Sequence, residues 1–412
     1  MNPKQKSTIL ITCSAGLVDF LQQEVEQLGY HTQSSHKTGL EVQGDQLDAM
    51  FFNLHLRTAY NVLFLLKQFP CNSPEELYRQ VSKLPWEQMI SPDEYLSVVS
   101  RVDAACIDNS MFSSLKVKDA IVDRIARQSG SRPDSGKDKI GVVIHLFWKK
   151  NRCWLYLNTS GQKISDRGYR KMPHTAPLRE SLAAAIIQAV GYDGSQPLVC
   201  PMCGSGTLAI EAALIAARRA PGLLRTNFGF MHMKYFDDSA WQRMRTEAQK
   251  KSKKRGGKAA FKPAPIIATD IDPVAVEAAR KNALTAGVSQ LIDFGICDFA
   301  DTDVPDICAP ESDTLEIDTP GEKGIILMNP EYGSRLGEIE DLKKTYERIG
   351  DFFKEKCTGY TGYLFTGNPD LAKKVHLRTS RRIPFFNANI ECRLLKYELY
   401  SGTRKSRPNT DR

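Results

Sequence analysis

The spacing of apolar residues in residues 1–65 switches repeatedly between the period of a strand and that of a helix. Runs of β-branched and apolar residues predict strands, and apolar residues three or four positions apart predict helices. The predicted elements are the strand Ser7–Cys13, the helix Gly16–Leu28, the strand Gly39–Val42, the helix Asp45–His55 and the strand Thr58–Phe69. This rapid alternation indicates a small α+β domain.

Residues 66–170 carry a second set of helix and strand signals and are predicted to form another α+β domain. Ser73 is a predicted helix N-cap, because Pro74 follows it and Glu76 stands three positions later. The other predicted elements are strands at Tyr95–Arg101, Gly141–Trp148 and Cys153–Thr159 and a helix at Ser113–Gln128.

The pattern changes in residues 171–401, where Ala-rich helical segments alternate with short apolar strands. Continuous apolar runs that are separated by helices predict buried parallel strands. The clearest are Leu198–Val199, Ile266–Thr269, Ile325–Met328 and Gly362–Thr366. We therefore expect a doubly wound α/β domain here.

Composition adds an excess of positive charge to this picture. The 412 residues include 56 Lys and Arg against 48 Asp and Glu, which gives a formal net charge of +8. Such an excess favours an anionic partner. Charged residues are dense in a lysine-rich stretch at 250–262, an acidic stretch at 301–322 and a basic tail at 402–412. The first two are expected to be exposed insertions in the third domain.

Several classes of protein are not expected. No apolar run approaches the ~18 residues of a membrane-spanning helix, so we expect no membrane segment. The basic start lacks a long apolar segment and a small-residue cleavage site, so we expect no signal peptide. Ten irregularly spaced cysteines fit free thiols in a reducing cytoplasm rather than a disulfide scaffold. The sequence carries no signal for an oligomeric state.

A glycine-containing turn follows the first strand of the third domain and leads into a helix predicted at Leu208–Arg219. Gly204 and Gly206 let a ligand approach the backbone, and the helix start offers free N–H groups. Such a turn binds a dinucleotide, S-adenosylmethionine or no ligand, but the sequence is not that of a phosphate-binding P-loop. Cys200 and Cys203 have metal-ligand spacing, yet no second pair supplies further ligands, so no metal is expected.

Two aspartates stand at predicted strand ends in the same domain. A carboxylate in the position of Asp270 can accept hydrogen bonds from both hydroxyls of a ribose. Asp272-Pro273 is expected to cap the next helix, which leaves Asp270 for a ligand. Asp298 is placed to accept an N–H from an adenine ring, or it is simply a turn residue.

The stretch Asn329-Pro-Glu-Tyr332 follows a buried strand and carries the most specific chemistry. The Asn329 amide oxygen and the Pro330 carbonyl oxygen can both accept hydrogen bonds from the exocyclic NH₂ of a planar base. This arrangement directs the nitrogen lone pair towards an electrophilic methyl group, and a nearby aromatic ring can stack on the base.

These residues together resemble those of amino-methyltransferases that use S-adenosylmethionine, whose motif is [Asn/Asp]-Pro-Pro-[Tyr/Phe]. Further stretches resemble bacterial THUMP-domain RNA methyltransferases, specifically the 23S rRNA guanine-N2 methyltransferase family, over nearly the whole chain. The matching stretches are Thr175–Glu180 (TAPLRE), Pro201–Thr207 (PMCGSGT), Ala220–Leu223 (APGL), Asn329–Gly333 (NPEYG) and Asn389–Leu394 (NIECRL), together with Leu157–Gly161 and Asp166–Arg170.

The resemblance implies a ferredoxin-like domain at 1–65, a THUMP domain that grips RNA at 66–170 and a Rossmann-like class I methyltransferase domain at 171–401. It implies S-adenosylmethionine as the cofactor and 23S rRNA or a large-subunit precursor as the partner. The expected activity is methylation of the exocyclic N2 of a guanine.

The resemblance also implies residue roles. The cofactor-binding residues would be Thr175, Pro177, Leu178, Arg179, Pro201, Cys203, Gly204, Gly206, Thr207, Asp270, Ile271, Asp298, Phe299 and Asn329. Within this set, Asp270 would hold the ribose, and Asp298 with Phe299 the adenine. Asn329, Pro330 and Tyr332 would position guanine N2 as the catalytic residues.

Two positions depart from the family pattern. Cys200 replaces an aspartate, which removes a partner for the ammonium group of the cofactor. Glu331 replaces the second proline of the motif, which loosens the turn. These departures leave open a catalytically weak or silent RNA-binding protein. A tRNA guanine-N2 or an adenine-N6 methyltransferase also stays open, because each base offers an exocyclic amine.

Overall fold

The computed structural model describes residues 5–107, 109–172, 178–254, 263–306, 323–333 and 336–400. The chain divides into two compact units. The first unit comprises Met1–Gly168, Glu180–Ala185 and Arg218–Ala260, and the second comprises Tyr169–Arg179, Ile186–Ala217 and Phe261–Arg412. In the described ranges, no helix is both long enough and apolar enough to cross a membrane.

The described residues contain the following helices and strands. The strands are β1 Ser7–Cys13, β2 Thr32–His36, β3 Gly39–Gly44, β4 Ala59–Pro70, β5 Leu96–Asp103, β6 Val142–Lys149, β7 Arg152–Asn158, β8 Leu198–Pro201, β9 Ile266–Asp270, β10 Ile292–Ile296, β11 Ile325–Met328, β12 Thr361–Thr366, β13 Arg381–Asn387 and β14 Ile390–Glu398. The α-helices are α1 Val18–Gln27, α2 Gln46–His55, α3 Pro74–Ser82, α4 Trp86–Met89, α5 Ser110–Ser129, α6 Glu180–Ala189, α7 Thr207–Ala216, α8 Asp238–Lys254, α9 Pro273–Ala286, α10 Leu336–Glu355 and α11 Pro369–Lys373. Short 3₁₀ helices lie at Pro221–Leu224, Gly229–His232, Ser289–Leu291 and Phe299–Asp301.

The first unit is built on one seven-stranded sheet with the order β2-β3-β1-β4-β7-β6-β5. Strand β4 pairs with β1 on one side and with β7 on the other, both antiparallel. The strands of the two predicted α+β domains therefore continue into a single sheet. Alternate residues of β1 point into the core, where Ile9, Ile11 and Cys13 are buried.

The local signals of the first unit are mostly confirmed. The Ser73 hydroxyl accepts the Glu76 N–H at 3.2 Å, as expected of an N-cap. The sequence prediction missed β2, whose residues Thr32–His36 include no aliphatic or aromatic side chain apart from the imidazole of His36. This edge strand has no core-facing stripe, so its pairing with β3 determines it rather than a hydrophobic pattern.

The second unit contains the predicted doubly wound sheet, with the strand order β10-β9-β8-β11-β12-β14-β13. Strands β10, β9, β8, β11 and β12 are mutually parallel, whereas β14 runs antiparallel to β12 and to β13. The chain passes from β8 to β9 on one side and later to β11 on the other. This reversal creates a crevice at the carboxyl ends of β8 and β11, where α/β proteins commonly bind ligands.

One predicted insertion begins later than expected. Helix α8 continues through Lys254, because the residues before Gly256 include no helix-breaking glycine or proline after Trp241. The remaining part of 250–262, residues 307–322 of the acidic stretch and the tail 402–412 lie outside the described residues.

The first unit is expected to lose stability as the pH falls, because it buries histidines in the neutral form. Burial lowers the pKa of His145 from 6.5 to about 4, and the Asn158 amide lies 3.4 Å from its Nε2. The unfolded chain takes up this proton below the ordinary pKa, so stability is full above pH 6.5 and falls towards pH 4. We expect a loss of about 2 kcal/mol between about pH 7 and about pH 5 from this residue.

Urea unfolding of the wild type and of His145→Gln across this pH range measures the effect. The variant should show a smaller decrease in unfolding midpoint, and the exposed-residue control His36→Gln should behave as the wild type does. An equal decrease in all three proteins would contradict this assignment.

Candidate active site

Four adjacent parallel strands of the second unit end at one edge of the sheet, and a predicted site residue stands at or just after the end of each. In the spatial order β10-β9-β8-β11, these are Asp298, Asp270, Gly204 and Asn329. Neighbouring strands are spaced about 4.8 Å apart. The structure therefore brings the predicted residues of four separate sequence stretches to one edge.

The glycine-containing turn after β8 has a conformation that ordinary residues rarely adopt. Met202, Gly204 and Gly206 have φ values of 59°, 53° and 82°. The Cys203 N–H donates to the Thr269 carbonyl at 2.9 Å, which ties the turn to the end of β9. A Cβ at position 206 would come within 2.8 Å of the Ala279 Cβ, so Gly206 lets α7 and α9 pack closely beneath the turn.

We expect Gly206→Ala to destabilise the second unit more than glycine replacement elsewhere. The new methyl group would combine a positive φ with a clash against Ala279, at a cost of about 2–4 kcal/mol. Gly191→Ala is the matched control, because Gly191 has a φ of 75° and no atom near the added Cβ. Calorimetric unfolding should show a larger decrease in melting temperature for Gly206→Ala, and equal decreases would contradict the packing argument.

Asp270 is not left free, contrary to the sequence prediction. Its Oδ2 accepts the Gly204 N–H at 2.8 Å and its Oδ1 accepts the Asp272 N–H at 3.0 Å. Asp272 caps α9 through a 2.8 Å bond from the Val274 N–H, as predicted. A carboxylate has about four acceptor positions, so Asp270 shapes the turn and keeps acceptor capacity for ligand hydroxyls.

Asp298 already accepts hydrogen bonds from two protein groups. Its Oδ1 accepts the Ala300 N–H at 2.9 Å and an Arg348 N–H at 2.7 Å, so Asp298 is a turn residue, as one of the two interpretations of the sequence predicted. Phe299 is 95% removed from solvent and packs edge-on against Phe352. The guanidinium of Arg348 lies over the Phe299 ring, 4.8 Å from its centroid.

Asn329 has an acceptor atom that the fold does not use. Its Oδ1 is buried and has no hydrogen-bond partner among the described residues. A buried acceptor without a partner costs roughly 1–3 kcal/mol. Such an atom calls for a functional explanation, and a donor on a bound substrate supplies one.

The loop after Asn329 is held from several sides. The Tyr346 hydroxyl donates to the Glu331 carbonyl at 3.3 Å and lies 2.9 Å from the Thr366 hydroxyl. The Tyr332 hydroxyl accepts the Asn387 amide N–H at 2.9 Å, and burial raises the pKa of Tyr332. The phenol therefore stays neutral, and its ring is fixed at the strand edge.

Sequence reasoning missed the residues that support this loop. Tyr346 occupies an ordinary buried position of α10, and Thr366 ends β12. Gly367 adjoins the Tyr332 ring, since a Cβ there would lie 3.1 Å from it. Their importance arises only from tertiary contact, and the sequence carried no local signal for it.

The remaining predicted residues lie in varied surroundings. Pro201 and Thr207 are buried at the two ends of the turn, and Ile271 is 68% exposed beside Asp270. Leu178 is buried, and Arg179 is the N-cap residue of α6. Thr175 and Pro177 lie outside the described residues.

Cys200 and Cys203, the two cysteines of the turn, form no disulfide bond. Burial raises the pKa of Cys200 to about 12 and also raises the pKa of Cys203. Across the described ranges, no cluster of three or more His, Cys, Asp or Glu side chains is arranged to hold a metal ion. Cys200 is therefore a buried neutral residue at the end of β8.

The strand order and the edge site define the class of the second unit: a Rossmann-like methyltransferase fold. Comparison with protein families places three consecutive matches along the chain. These are a ferredoxin-like domain of the RlmL type at 8–63, a THUMP domain at 71–158 and an RMKL-like methyltransferase domain at 167–396. The last match covers more than half of the chain, and the chain belongs to the RMKL-like methyltransferase family. The expected fold class and family resemblance are thereby confirmed.

Curated relatives and solved structures agree with this assignment. The ribosomal RNA large subunit methyltransferase K/L of Syntrophotalea carbinolica is 34% identical over 94% of this chain, which spans only 53% of that relative. A putative RNA methyltransferase of Synechocystis is 32% identical, with 94% of this chain and 96% of that protein covered. The structure of a possible methylase from Clostridium difficile matches with a TM-score of 0.81 at 26% identity, covering 97% of this chain and 100% of that one.

Proposed function

We propose that this chain transfers a methyl group from S-adenosylmethionine to the exocyclic N2 of a guanine in 23S rRNA or in a large-subunit precursor. The unpartnered Oδ1 of Asn329, at the end of a central strand, carries this proposal. The two N–H bonds of the base amine would donate one hydrogen bond to that atom and one to the Pro330 carbonyl oxygen.

The residues at the strand edge fit the cofactor. A Cβ built on Gly204 would meet open space, so a ligand can approach the turn there, and the carboxylate of Asp270 retains acceptor positions for ribose hydroxyls. When bound, S-adenosylmethionine supplies an electrophilic methyl group. Leu178, Arg179, Ile271 and Asp298 are proposed to complete its surroundings, and no metal is invoked.

The chain contributes orientation to the reaction. Two acceptors on Asn329 and Pro330 would hold both amine hydrogens and direct the nitrogen lone pair towards the methyl group. Tyr332, fixed through Asn387, would stack on the base. Positioning of this kind lowers the barrier. The amine would lose one proton as it gains the methyl group, and that proton would pass to water.

We propose that the first unit binds the RNA substrate. The THUMP match in this unit supports an anionic polymer as the partner, and so does the net charge of +8 on the whole chain. We propose that the ferredoxin-like domain comprises residues 1–65, the THUMP domain residues 66–170 and the methyltransferase domain residues 171–401. We also propose that the protein acts in the cytoplasm.

Nucleoside mass spectrometry of ribosomal RNA tests this proposal in cells. A strain that lacks the gene should lose N2-methylguanosine at one position of the large-subunit RNA, and the gene in trans should restore it. Loss from transfer RNA, or loss of N6-methyladenosine instead, would contradict the proposed substrate.

A catalytically silent RNA-binding protein is the second candidate, and Cys200 motivates it. This buried neutral thiol cannot supply the negative charge of the family aspartate. The exposed Glu331 departs from the motif as well. Calorimetry separates the candidates, because saturable binding of S-adenosylmethionine to the full chain is expected from the proposed enzyme and not from a silent protein.

A further inference from the structure

We propose that a basic cleft beside the candidate active site binds the phosphate backbone of the RNA strand next to the target nucleotide. The cleft lies within the second unit, has a volume of about 1110 Å³ and is bordered by α11, the segment 377–380 and the strands β13 and β14. This inference rests on the proposed function, and it names a substrate-binding surface that the active-site residues do not include.

The cleft begins at the strand edge that carries Tyr332. Thr366, Gly367 and Ile390 line its near end, and both Tyr332 and Ile390 would touch a Cβ built on Gly367. β13 runs parallel to β12, and its first residue, Arg381, pairs with Lys396, which pairs with Tyr363, so the start of β13 lies three residues back from the Thr366 end of β12. The cleft therefore extends from the proposed position of the target base back to the start of β13.

The charge of the cleft is strongly unbalanced. Its lining includes five cations, Lys373, Arg378, Arg381, Arg382 and Arg393, and one carboxylate, Glu391. Lys373 pairs with Asp370 at 2.8 Å and Arg393 pairs with Glu391 at 3.2 Å. The other three arginines form no ion pair with a carboxylate of the described residues.

Strand register places two of these cations on the same face. Arg382 is opposite Leu395 and Arg393 is opposite Pro384, so the two arginines are diagonal neighbours, about 7–8 Å apart at the backbone. Like charges so placed repel each other unless an anion lies between them. Arginine at an edge strand also discourages strand pairing. However, Arg378 lies outside the strand and lines the same cleft, so protection of a strand edge does not explain its charge, whereas binding of an anionic ligand does.

Exposed apolar side chains accompany the charges. Phe386 is 39% exposed and follows Arg382 and Pro384 on the same face of β13, while Ile390 is 48% exposed at the near end. Guanidinium groups bind phosphates through paired hydrogen bonds, and aromatic rings accept stacked bases. This combination fits a single-stranded segment of RNA better than an acidic protein, which offers carboxylates but no bases.

The test compares Arg378→Gln/Arg382→Gln with the control Lys281→Gln/Lys354→Gln, which removes two exposed cations that do not line the cleft. Fluorescence anisotropy with a labelled single-stranded oligoribonucleotide gives the affinity at salt concentrations from about 50 to 200 mM. The cleft variant should bind about tenfold more weakly at low salt. Its plot of log binding constant against log salt concentration should have a slope that is shallower by about 1.4, because each of the two lost phosphate contacts contributes about 0.7. The control should shift by less than half as much.

These binding measurements need no catalysis, so they separate this inference from the proposed function. Unchanged calorimetric binding of S-adenosylmethionine and an unchanged melting temperature would show that the cleft variant is folded. A salt slope equal to that of the wild type would overturn the inference even if the wild type methylates RNA. Tighter binding of poly-glutamate than of RNA, lost in the cleft variant, would also overturn it in favour of an acidic protein. Where turnover is present, the KM for RNA should rise about tenfold in the cleft variant while kcat is unchanged.

Discussion

Replacing Asn329 with alanine is expected to reduce the rate of methyl transfer by about 10²–10³-fold, because the acceptor that orients the amine is lost. The same change should leave the melting temperature unchanged or raise it, since the removed Oδ1 has no partner among the described residues. Cofactor affinity measured by calorimetry should fall less than the rate does, because Asn329 is only one of the residues expected to contact the cofactor. Single-turnover assays with labelled S-adenosylmethionine measure the rate.

Asn329→Asp is the matched variant for this prediction. It keeps acceptor oxygens at the same position, and aspartate stands there in part of the resembled motif. We expect it to retain more activity than Asn329→Ala. Full activity in the alanine variant, or a rate loss that only follows a fall in stability, would contradict the positioning role.

Replacing Asp270 with alanine is expected to weaken S-adenosylmethionine binding by about a hundredfold or more. The change removes the proposed acceptor for the ribose, and it leaves the Gly204 N–H without the partner that holds the turn. Loss of this partly buried hydrogen bond alone costs about 1 kcal/mol, or roughly fivefold in affinity if the cost falls on the bound state, and the lost ribose contacts account for the rest. Isothermal titration calorimetry measures the dissociation constant.

Asp272→Ala is the control for the Asp270 variant. Its carboxylate caps α9 through the Val274 N–H. Loss of the cap should lower stability by about 1 kcal/mol and leave cofactor affinity within about twofold. Equal losses of affinity in both variants would indicate general damage to the turn rather than a specific role of Asp270.

Strong local patterns determined how much of the fold could be predicted from the sequence. The predicted strands Ser7–Cys13 and Ile325–Met328 match β1 and β11 residue for residue. Their runs are apolar and β-branched, so burial and propensity agree. Strand β2 was missed because its polar residues owe their conformation to pairing with β3.

The candidate site was predictable as a set of strand ends but not as a hydrogen-bond network. Motif order alone places Asp270 and Asn329 at one edge of a parallel sheet. The bond from Gly204 to Asp270 spans 66 residues of sequence, and the contact of Tyr346 with Thr366 joins a helix to a strand. Such contacts depend on tertiary packing, which no local period encodes.

The basic cleft shows the same limit on a larger scale. Four of its five cations lie in the basic segment 373–382, which the sequence analysis did not single out, and Arg393 comes from a separate strand. The conspicuous lysine-rich stretch at 250–262 drew attention instead. Only strand pairing, which no local pattern encodes, brings Arg393 beside the cations of this segment.

The most direct test of the account is in vitro methylation of undermethylated large-subunit RNA with methyl-deuterated S-adenosylmethionine, followed by nucleoside mass spectrometry. The account predicts mass-shifted N2-methylguanosine with the wild-type chain and almost none with Asn329→Ala under equal cofactor saturation. Label that appears in N6-methyladenosine, or N2-methylguanosine that forms equally fast without the Asn329 amide, would contradict it.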